Sequence, residues 1–131
     1  MRISRSADFA LRLLIYLASE KKTTTMPILA ERLGIPYNNL SKLIQALSKA
    51  QLVQTRQGKN GGVQLLREPM EISMKAVLDV IDGPVRLSDC LIPSNSDICL
   101  LNGHCKLKTT FSHLQHDIDS LFESVKIAQM V

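Results

Sequence analysis

Three cysteines, Cys90, Cys99 and Cys105, stand within one stretch of this 131-residue chain, and the sequence contains no others. A single cysteine is usually a small buried apolar side chain, but three gathered in one irregular segment point to thiol chemistry. Structural zinc sites favour cysteines separated by two to four residues, whereas the gaps here are eight and five residues. An iron–sulfur cluster needs thiolates and accepts irregular spacing, because the loop wraps the cluster. The spacing therefore disfavours zinc and leaves open an iron–sulfur site, which would need a fourth ligand, and a thiol redox switch.

Charge is divided unevenly along the chain. Residues 1–67 carry 11 Lys and Arg and three Asp and Glu, a net charge of +8. Residues 68–131 carry five Lys and Arg and nine Asp and Glu, a net charge of −4. A strongly basic half indicates a polyanionic partner. We therefore expect the first half to bind nucleic acid and the cysteine-containing half to serve another purpose.

The basic half predicts a helix-turn-helix. Residues 6–20 are apolar almost all round, which predicts a largely buried first helix with Ser6 as its N-cap. Pro27 opens a second helix that Gly34 ends, and Pro36 opens a third. One face of the third helix is apolar and carries Leu40, Leu43, Ile44 and Leu47. Two short helices joined at a glycine, the second apolar on one face, are typical of a helix-turn-helix.

A hairpin follows the third helix, with strands predicted at 52–56 and 63–66 and an Asn-Gly turn between them. A helix-turn-helix followed by a basic hairpin is a winged helix, which reads double-stranded DNA. The polar face of the third helix is expected in the major groove, and its residues are Tyr37, Asn38, Asn39, Ser41, Lys42 and Gln45. In the hairpin the predicted DNA contacts, at phosphate or in the minor groove, are Arg56, Lys59, Asn60 and Gly61.

The second half predicts two more helices. Ser73 caps the first of them, and Gly83 and Pro84 end it. The last helix carries apolar residues at alternating steps of four and three, which is the 3.5-residue period of a coiled coil. They are Leu107, Phe111, Leu114, Ile118, Leu121 and Val125. This six-position seam predicts a homodimer, and the alternative is an amphipathic helix packed on its own domain.

Composition excludes several classes of protein. The longest charge-free apolar run, residues 13–18, is far shorter than the roughly 20 residues that span a bilayer, and Asp8 and Arg12 interrupt any secretory signal. Five aromatic residues are too few for a base-stacking RNA platform. A redox or metal-dependent enzyme is disfavoured because no catalytic arrangement and no second, cleft-forming domain is visible. We expect a cytoplasmic protein that is not an enzyme and has no membrane partner.

The chain resembles the Rrf-type family of bacterial winged-helix transcription regulators. The likeness rests on the opening MRISRSADFALRLLIYLA, the wing TRQGKNGGVQL and a three-cysteine loop before a long last helix, and it continues through the closing KIAQMV. With the predicted elements, it implies a mainly α fold with a small β-hairpin. Residues 1–83 would form the winged helix-turn-helix domain, 84–106 a cluster-binding loop, and 107–131 the dimerisation helix and tail. The implied partners are a palindromic DNA operator and a second copy of the chain.

Within this family the stretch CLLNGHCKL resembles the NsrR-type repressors. That resemblance implies a 4Fe-4S cluster, rather than a 2Fe-2S cluster, and nitric oxide as the signal. The implied ligands are Cys90, Cys99, Cys105 and, across the dimer, Asp8. Relatives of the IscR type use a histidine three residues after the last cysteine, and that position holds Lys108 here.

Asp8 also has an explanation that needs no metal. A carboxylate in a nearly all-apolar helix requires a partner, and Arg12, one turn later, can form an ion pair with it. Two further functions also stay open on the sequence. One is iron–sulfur or redox regulation of the IscR type, and the other is a cluster-free thiol or cysteine-metabolism regulator of the CymR type.

Overall fold

The computed structural model describes residues 2–95, 99–101 and 103–131, and this part of the chain contains five α-helices, one β-hairpin and four short 3-10 helices. The helices are α1 (Arg5–Glu20), α2 (Met26–Leu33), α3 (Tyr37–Lys49), α4 (Met74–Ile81) and α5 (Lys106–Ser124), and the antiparallel strands are β1 (Val53–Arg56) and β2 (Gly62–Leu65). The mainly helical fold with one small hairpin is confirmed. Within the described residues no helix combines the length and the apolar character needed to cross a membrane.

The apolar faces predicted for the helix-turn-helix meet in one core. Leu13 and Leu14 of α1 are fully buried, and so is Leu29 of α2. Val53 and Val63 bring the hairpin into the same cluster. The four apolar residues of α3 are buried as predicted, and they are Leu40, Leu43, Ile44 and Leu47. Because α3 is held by this face, its opposite face stays at the surface.

The first helix begins one residue earlier than expected, and its N-cap is Ser4 rather than the predicted Ser6. The Ser4 hydroxyl oxygen accepts a hydrogen bond of 3.0 Å from the Ala7 amide. The same hydroxyl donates to the carboxylate of Asp82, the residue that caps the end of α4. Ser6 lies within the first turn, where its side chain is not needed as a cap. The start of α1 and the end of α4 are therefore tied together.

The loop between α1 and α2 is hydrogen-bonded to the edge of β2, near the turn of the hairpin. The amide of Thr24 donates to the carbonyl oxygen of Val63 at 2.9 Å, and the amide of Val63 donates back at 2.8 Å. Beside this bridge, Gly62 has a φ of +144°, and a Cβ on it would lie 2.5 Å from the Thr24 carbonyl oxygen. Glycine is therefore required at 62, because any side chain would push the hairpin away from the loop.

Replacing Thr24 with valine is expected to stabilise the protein. Thr24 is 4% exposed, and among the described residues its Oγ1 has no hydrogen-bond partner. Valine keeps the branched shape and removes the unsatisfied hydroxyl, so the free energy of unfolding should rise by about 1 kcal/mol. Urea unfolding measures this change. The matched control is Thr23→Val, which loses the 2.8 Å hydrogen bond to Gln64 and should be less stable than the parent. A Thr24→Val protein that is also less stable would contradict the prediction.

Ser73 joins α4 to α5. Its side chain caps α4, as predicted, and its hydroxyl donates to the carboxylate of Glu123 on α5 at 3.0 Å. This hydrogen bond, with help from Lys126, holds the pKa of Glu123 below its usual range. Backbone hydrogen bonds of 2.8 and 2.9 Å also join segment 72–74 to segment 125–127. The C-terminal end of α5 is thus fastened to the helical core.

Candidate nucleic-acid interface and thiol segment

The polar face of α3 is open to solvent. Tyr37, at the start of the helix, is 55% exposed, and Ser41, nearer the core, is half-buried. The other predicted residues of this face are exposed, and they are Asn38, Asn39, Lys42 and Gln45. The side chains expected to read base edges are therefore accessible on one face of one helix.

The wing carries its predicted residues in the hairpin turn and at the end of β1 that leads into it. Arg56, Lys59 and Asn60 are exposed. Gly61 is half-buried and has a structural duty, because its amide donates to the Gly58 carbonyl oxygen at 2.9 Å. A Cβ on Gly61 would lie 2.4 Å from the carbonyl oxygen of Arg56. The glycine at 61 is thus explained by the turn, whether or not it touches DNA.

A groove beside α3 is also lined by residues of α1, which the sequence pattern did not predict at this surface. Its lining includes Asn39 and Lys42 of α3 together with Ser6 and Phe9 of α1. Arg5 lies over the ring of Phe9, 5.4 Å from its centroid. The start of α1 therefore borders the proposed DNA-reading face. The basic opening RISRS was the sequence signal that could have indicated this.

Two substitutions distinguish phosphate contacts from base reading, using an operator selected from a random DNA library. Lys59→Ala is expected to weaken binding to every sequence and to lower the slope of log affinity against log salt by about 1. Asn39→Ala is expected to cost about 1–3 kcal/mol of discrimination between operator and random DNA. Anisotropy titrations at several salt concentrations measure both effects.

The control is Lys126→Ala, which removes an equal charge from a residue paired with Glu123 at 3.4 Å. It should leave the salt dependence at the parent value, because this pair lies on the α5 side of the molecule. Unchanged affinity in both Lys59→Ala and Asn39→Ala would remove this surface from the DNA interface.

All three cysteines are free thiols, and two of them have defined surroundings. Cys90 is half-buried, and its sulfur lies 3.3 Å from the hydroxyl of Ser88. Cys105 is the N-cap of α5, and its sulfur accepts a hydrogen bond of 3.4 Å from the Lys108 amide. Cys99 is exposed. Two of the thiols are thus held by local structure, whereas the third is open to solvent.

The chemistry of these donors suits an iron–sulfur cluster, although the donors are not gathered. In the described ranges no three His, Cys, Asp or Glu side chains are placed to hold a metal ion. Thiolates are the ordinary ligands of such clusters, and hydrogen bonds to ligand sulfurs, of the kind that Cys105 receives, tune them. The residue types present therefore fit the group, and all three sulfurs would have to come together to ligate it.

Asp8 lies in the first turn of α1 and pairs with Arg12, its Oδ2 being 3.0 Å from Nε. The ion pair suggested by their spacing is confirmed. The Asp8 side chain is 47% exposed, so its carboxylate is not buried although most of the helix is apolar. An ion pair this exposed adds little stability, so the carboxylate is free to serve another partner.

The apolar seam predicted along α5 divides into two sets. Leu107, Leu114 and Leu121 are 59%, 47% and 65% exposed, and we call these three residues the leucine stripe. The other three positions are half-buried, and they are Phe111, Ile118 and Val125. Val125 follows the helix, which ends at Ser124. Three positions of the seam are thus partly buried within the chain's own fold, whereas the leucine stripe is exposed to solvent.

The helix-turn-helix and its basic wing define a winged-helix protein of the type that binds DNA. A family model for iron-dependent transcriptional regulators, Rrf2, matches residues 3–131. The chain therefore belongs to the Rrf2 family of transcriptional regulators, as its sequence resemblance implied.

Curated relatives agree with this membership. The chain is 34% identical over 110 residues to the HTH-type transcriptional regulator NsrR of Shouchella clausii (strain KSM-K16), a match that covers 82% of this chain and 73% of that protein. It is 29% identical to NsrR of Bacillus subtilis (strain 168), over 82% of this chain and 75% of that protein. These relatives are transcriptional regulators rather than enzymes.

Two solved structures support the fold. IscR of T. potens superposes with a TM-score of 0.76 at 23% identity, covering 99% of this chain and 85% of that one. CymR, the global cysteine regulator of B. subtilis, superposes with a TM-score of 0.74 at 20% identity, covering 99% of this chain and 95% of that one.

Proposed function

We propose that this protein is a homodimeric repressor whose affinity for a palindromic operator is controlled by an iron–sulfur cluster, with nitric oxide as the signal. Cys90, Cys99 and Cys105 would supply three thiolate ligands, and Asp8 of the partner subunit would supply the fourth. The observation that carries this proposal is the position of three free thiols in one short segment. That segment lies between the winged helix and α5.

DNA binding would place α3 in the major groove and the wing along the phosphate backbone. The exposed polar face of α3 offers the side-chain amides and the lysine that pair with base edges. Net charge of +8 over residues 1–67 supplies the sequence-independent attraction to phosphate. A homodimer would present two copies of α3 to half-sites about one helical turn of DNA apart.

Dimerisation would occur along the leucine stripe of α5. The three leucines recur every seven residues on a 19-residue helix, which is the spacing that lets two helices pack along a seam. A second copy of the same helix offers a matching apolar row, as a two-fold interface requires. Pairing of α5 would therefore fix the distance between the two winged helices.

Asp8 would be the most weakly bound of the four ligands. A carboxylate matches an iron–sulfur core less well than a thiolate does, and the bound group would supply an iron at that corner able to react with nitric oxide. Cys105 is the N-cap residue of α5. A conformational change in segment 90–105 would therefore be transmitted to the helix that pairs in the dimer. DNA binding would then respond as a shift between two populations, one with the operator spacing and one without it.

Anaerobic operator titrations test this proposal. Protein purified without air is expected to bind the selected operator, and treatment with a nitric oxide donor should weaken that affinity at least tenfold, or about 1.4 kcal/mol. Binding to random DNA should change little, because the phosphate contacts remain. Equal operator affinity before and after nitric oxide, in protein that contains iron and sulfide, would reject nitric oxide as the signal.

The described cysteines are not grouped as ligands of one metal site, and this favours one second function, a cluster-free thiol regulator of the CymR type. It predicts colourless protein whose operator affinity responds to thiol oxidation instead of iron. Regulation of the IscR type receives less support, because Lys108 stands where that type has its histidine ligand.

A further inference from the structure

Gln115 is a buried polar residue in the middle of α5, 7% exposed, and both the oxygen and the nitrogen of its side-chain amide are hydrogen-bonded. Its Oε1 accepts from the Leu87 amide at 2.9 Å. Its Nε2 donates to the Val85 carbonyl oxygen at 2.8 Å and to Asp119 Oδ1 at 3.1 Å. The amide group is therefore oriented by its partners, with two acceptors on the nitrogen side and one donor on the oxygen side. Gln115 thus hydrogen-bonds the backbone of segment 85–87 as the backbone of a neighbouring β-strand would, and this attaches the segment to α5.

The segment that Gln115 holds leads directly to Cys90. Ser88, which follows Leu87, has its hydroxyl 3.3 Å from the Cys90 sulfur. The Ser88 carbonyl oxygen accepts from the Leu91 amide at 3.1 Å, which closes a turn around Cys90. The position of Cys90 relative to α5 is thus set just before the turn in which it lies.

Cys105 is attached to the same helix by a different route, since it is the N-cap residue of α5. The helix therefore carries one thiol at its start and, through Gln115, fixes a second. It also carries the leucine stripe. One rigid element thus connects two of the three thiols to the surface on which a second copy would pack.

We propose that Gln115 is a positioning residue, which fixes Cys90 to the helix that begins at Cys105 and so makes thiol geometry and dimer geometry depend on each other. This inference rests on the proposed function, because it assigns Gln115 a duty toward the cluster ligands. Its loss would remove the 2.9 Å hydrogen bond of the Leu87 amide and would leave the Val85 carbonyl with only the longer, 3.4 Å hydrogen bond from Arg86. The Cys90 segment would then open more often while α5 and the winged helix keep their fold.

The test uses Gln115→Leu in the full-length protein, because leucine preserves the buried volume and removes all three hydrogen bonds. Hydrogen exchange of the Leu87 amide, followed by NMR, should be about tenfold faster, as expected for losing hydrogen bonds of this kind. Alkylation of Cys90 should also be faster, whereas alkylation of the exposed Cys99 should keep its parent rate. The Ile127 amide, bonded to the Ile72 carbonyl at 2.9 Å, serves as the internal reference for global unfolding.

A further variant separates positioning from a general effect on α5. His116→Ala changes the adjacent, exposed residue of the same helix and should leave exchange of the Leu87 amide at the parent rate.

The cluster arm of the test is reconstitution with iron and sulfide without air. The parent should keep its iron, and Gln115→Leu should lose it at least about tenfold faster. Parent protein that takes up no iron would reject the proposed function, while faster Leu87 exchange would still establish Gln115 as the anchor of this segment. Unchanged Leu87 exchange, or faster exchange with unchanged iron retention, would overturn the positioning role.

Discussion

Leu114→Asp should convert the protein to a monomer that no longer binds a palindromic operator. Leu114 is the central member of the leucine stripe, and it is 47% exposed in the single chain. A carboxylate there would become buried and unpaired in a two-fold interface, which costs about 3–5 kcal/mol. The dimer dissociation constant should therefore rise at least about a hundredfold. Sedimentation analysis measures it directly.

The matched control is His113→Asp, which introduces the same side chain at the adjacent, exposed position of the same helix. It should remain dimeric and bind the operator. Circular dichroism should show native helix content for both variants, because neither residue belongs to the core. A Leu114→Asp protein that stays dimeric would place the dimer interface somewhere other than the leucine stripe.

Cys99→Ala should abolish the cluster, and substitutions at Asp8 should alter it. Removal of a thiolate ligand should lower iron affinity by more than the roughly 10- to 100-fold typical of losing an outer-sphere partner. Asp8→Ala should leave a folded dimer whose cluster is less stable or of another type. Asp8→Cys should supply a fourth thiolate ligand in place of the weaker carboxylate. The reaction of the cluster with nitric oxide should therefore be slower.

Arg12→Ala is the control that the structure supplies for Asp8. It breaks the 3.0 Å ion pair and leaves the carboxylate in place, so the spectrum and nitric oxide reactivity should match those of the parent. Asp8→Asn, in contrast, should change both. If Asp8→Asn and Arg12→Ala both behave as the parent with normal iron content, Asp8 is only an ion-pair partner and the fourth ligand lies elsewhere.

The winged helix could be predicted because its sequence signals are local. The apolar spacing of Leu40, Leu43, Ile44 and Leu47 specifies one buried face whatever it packs against, and all four are buried. The N-cap of α1 was misplaced because Ser4 and Ser6 are both suitable by residue type. Only the contact between Ser4 and Asp82, distant in sequence, distinguishes them.

The cysteine half was less predictable, since its contacts join loops to helices over long separations. Gln115 lies among polar residues in sequence and would be expected at the surface, yet its partners are backbone groups at Val85 and Leu87. Its spacing from Phe111 and Ile118, four and three residues, was the available signal, because it places Gln115 on the inner face of α5. No comparable period exists in the cysteine segment, so the arrangement of its thiols could not be deduced.

The most direct test of the central claim is the visible absorption spectrum of protein purified without air, with iron and acid-labile sulfide measured on the same sample. The protein is expected to be brown, with a broad visible band and about four irons and four sulfides per chain as in a 4Fe-4S cluster, and nitric oxide should abolish that band. Colourless protein without iron or sulfide, from cells supplied with iron, would contradict the central claim.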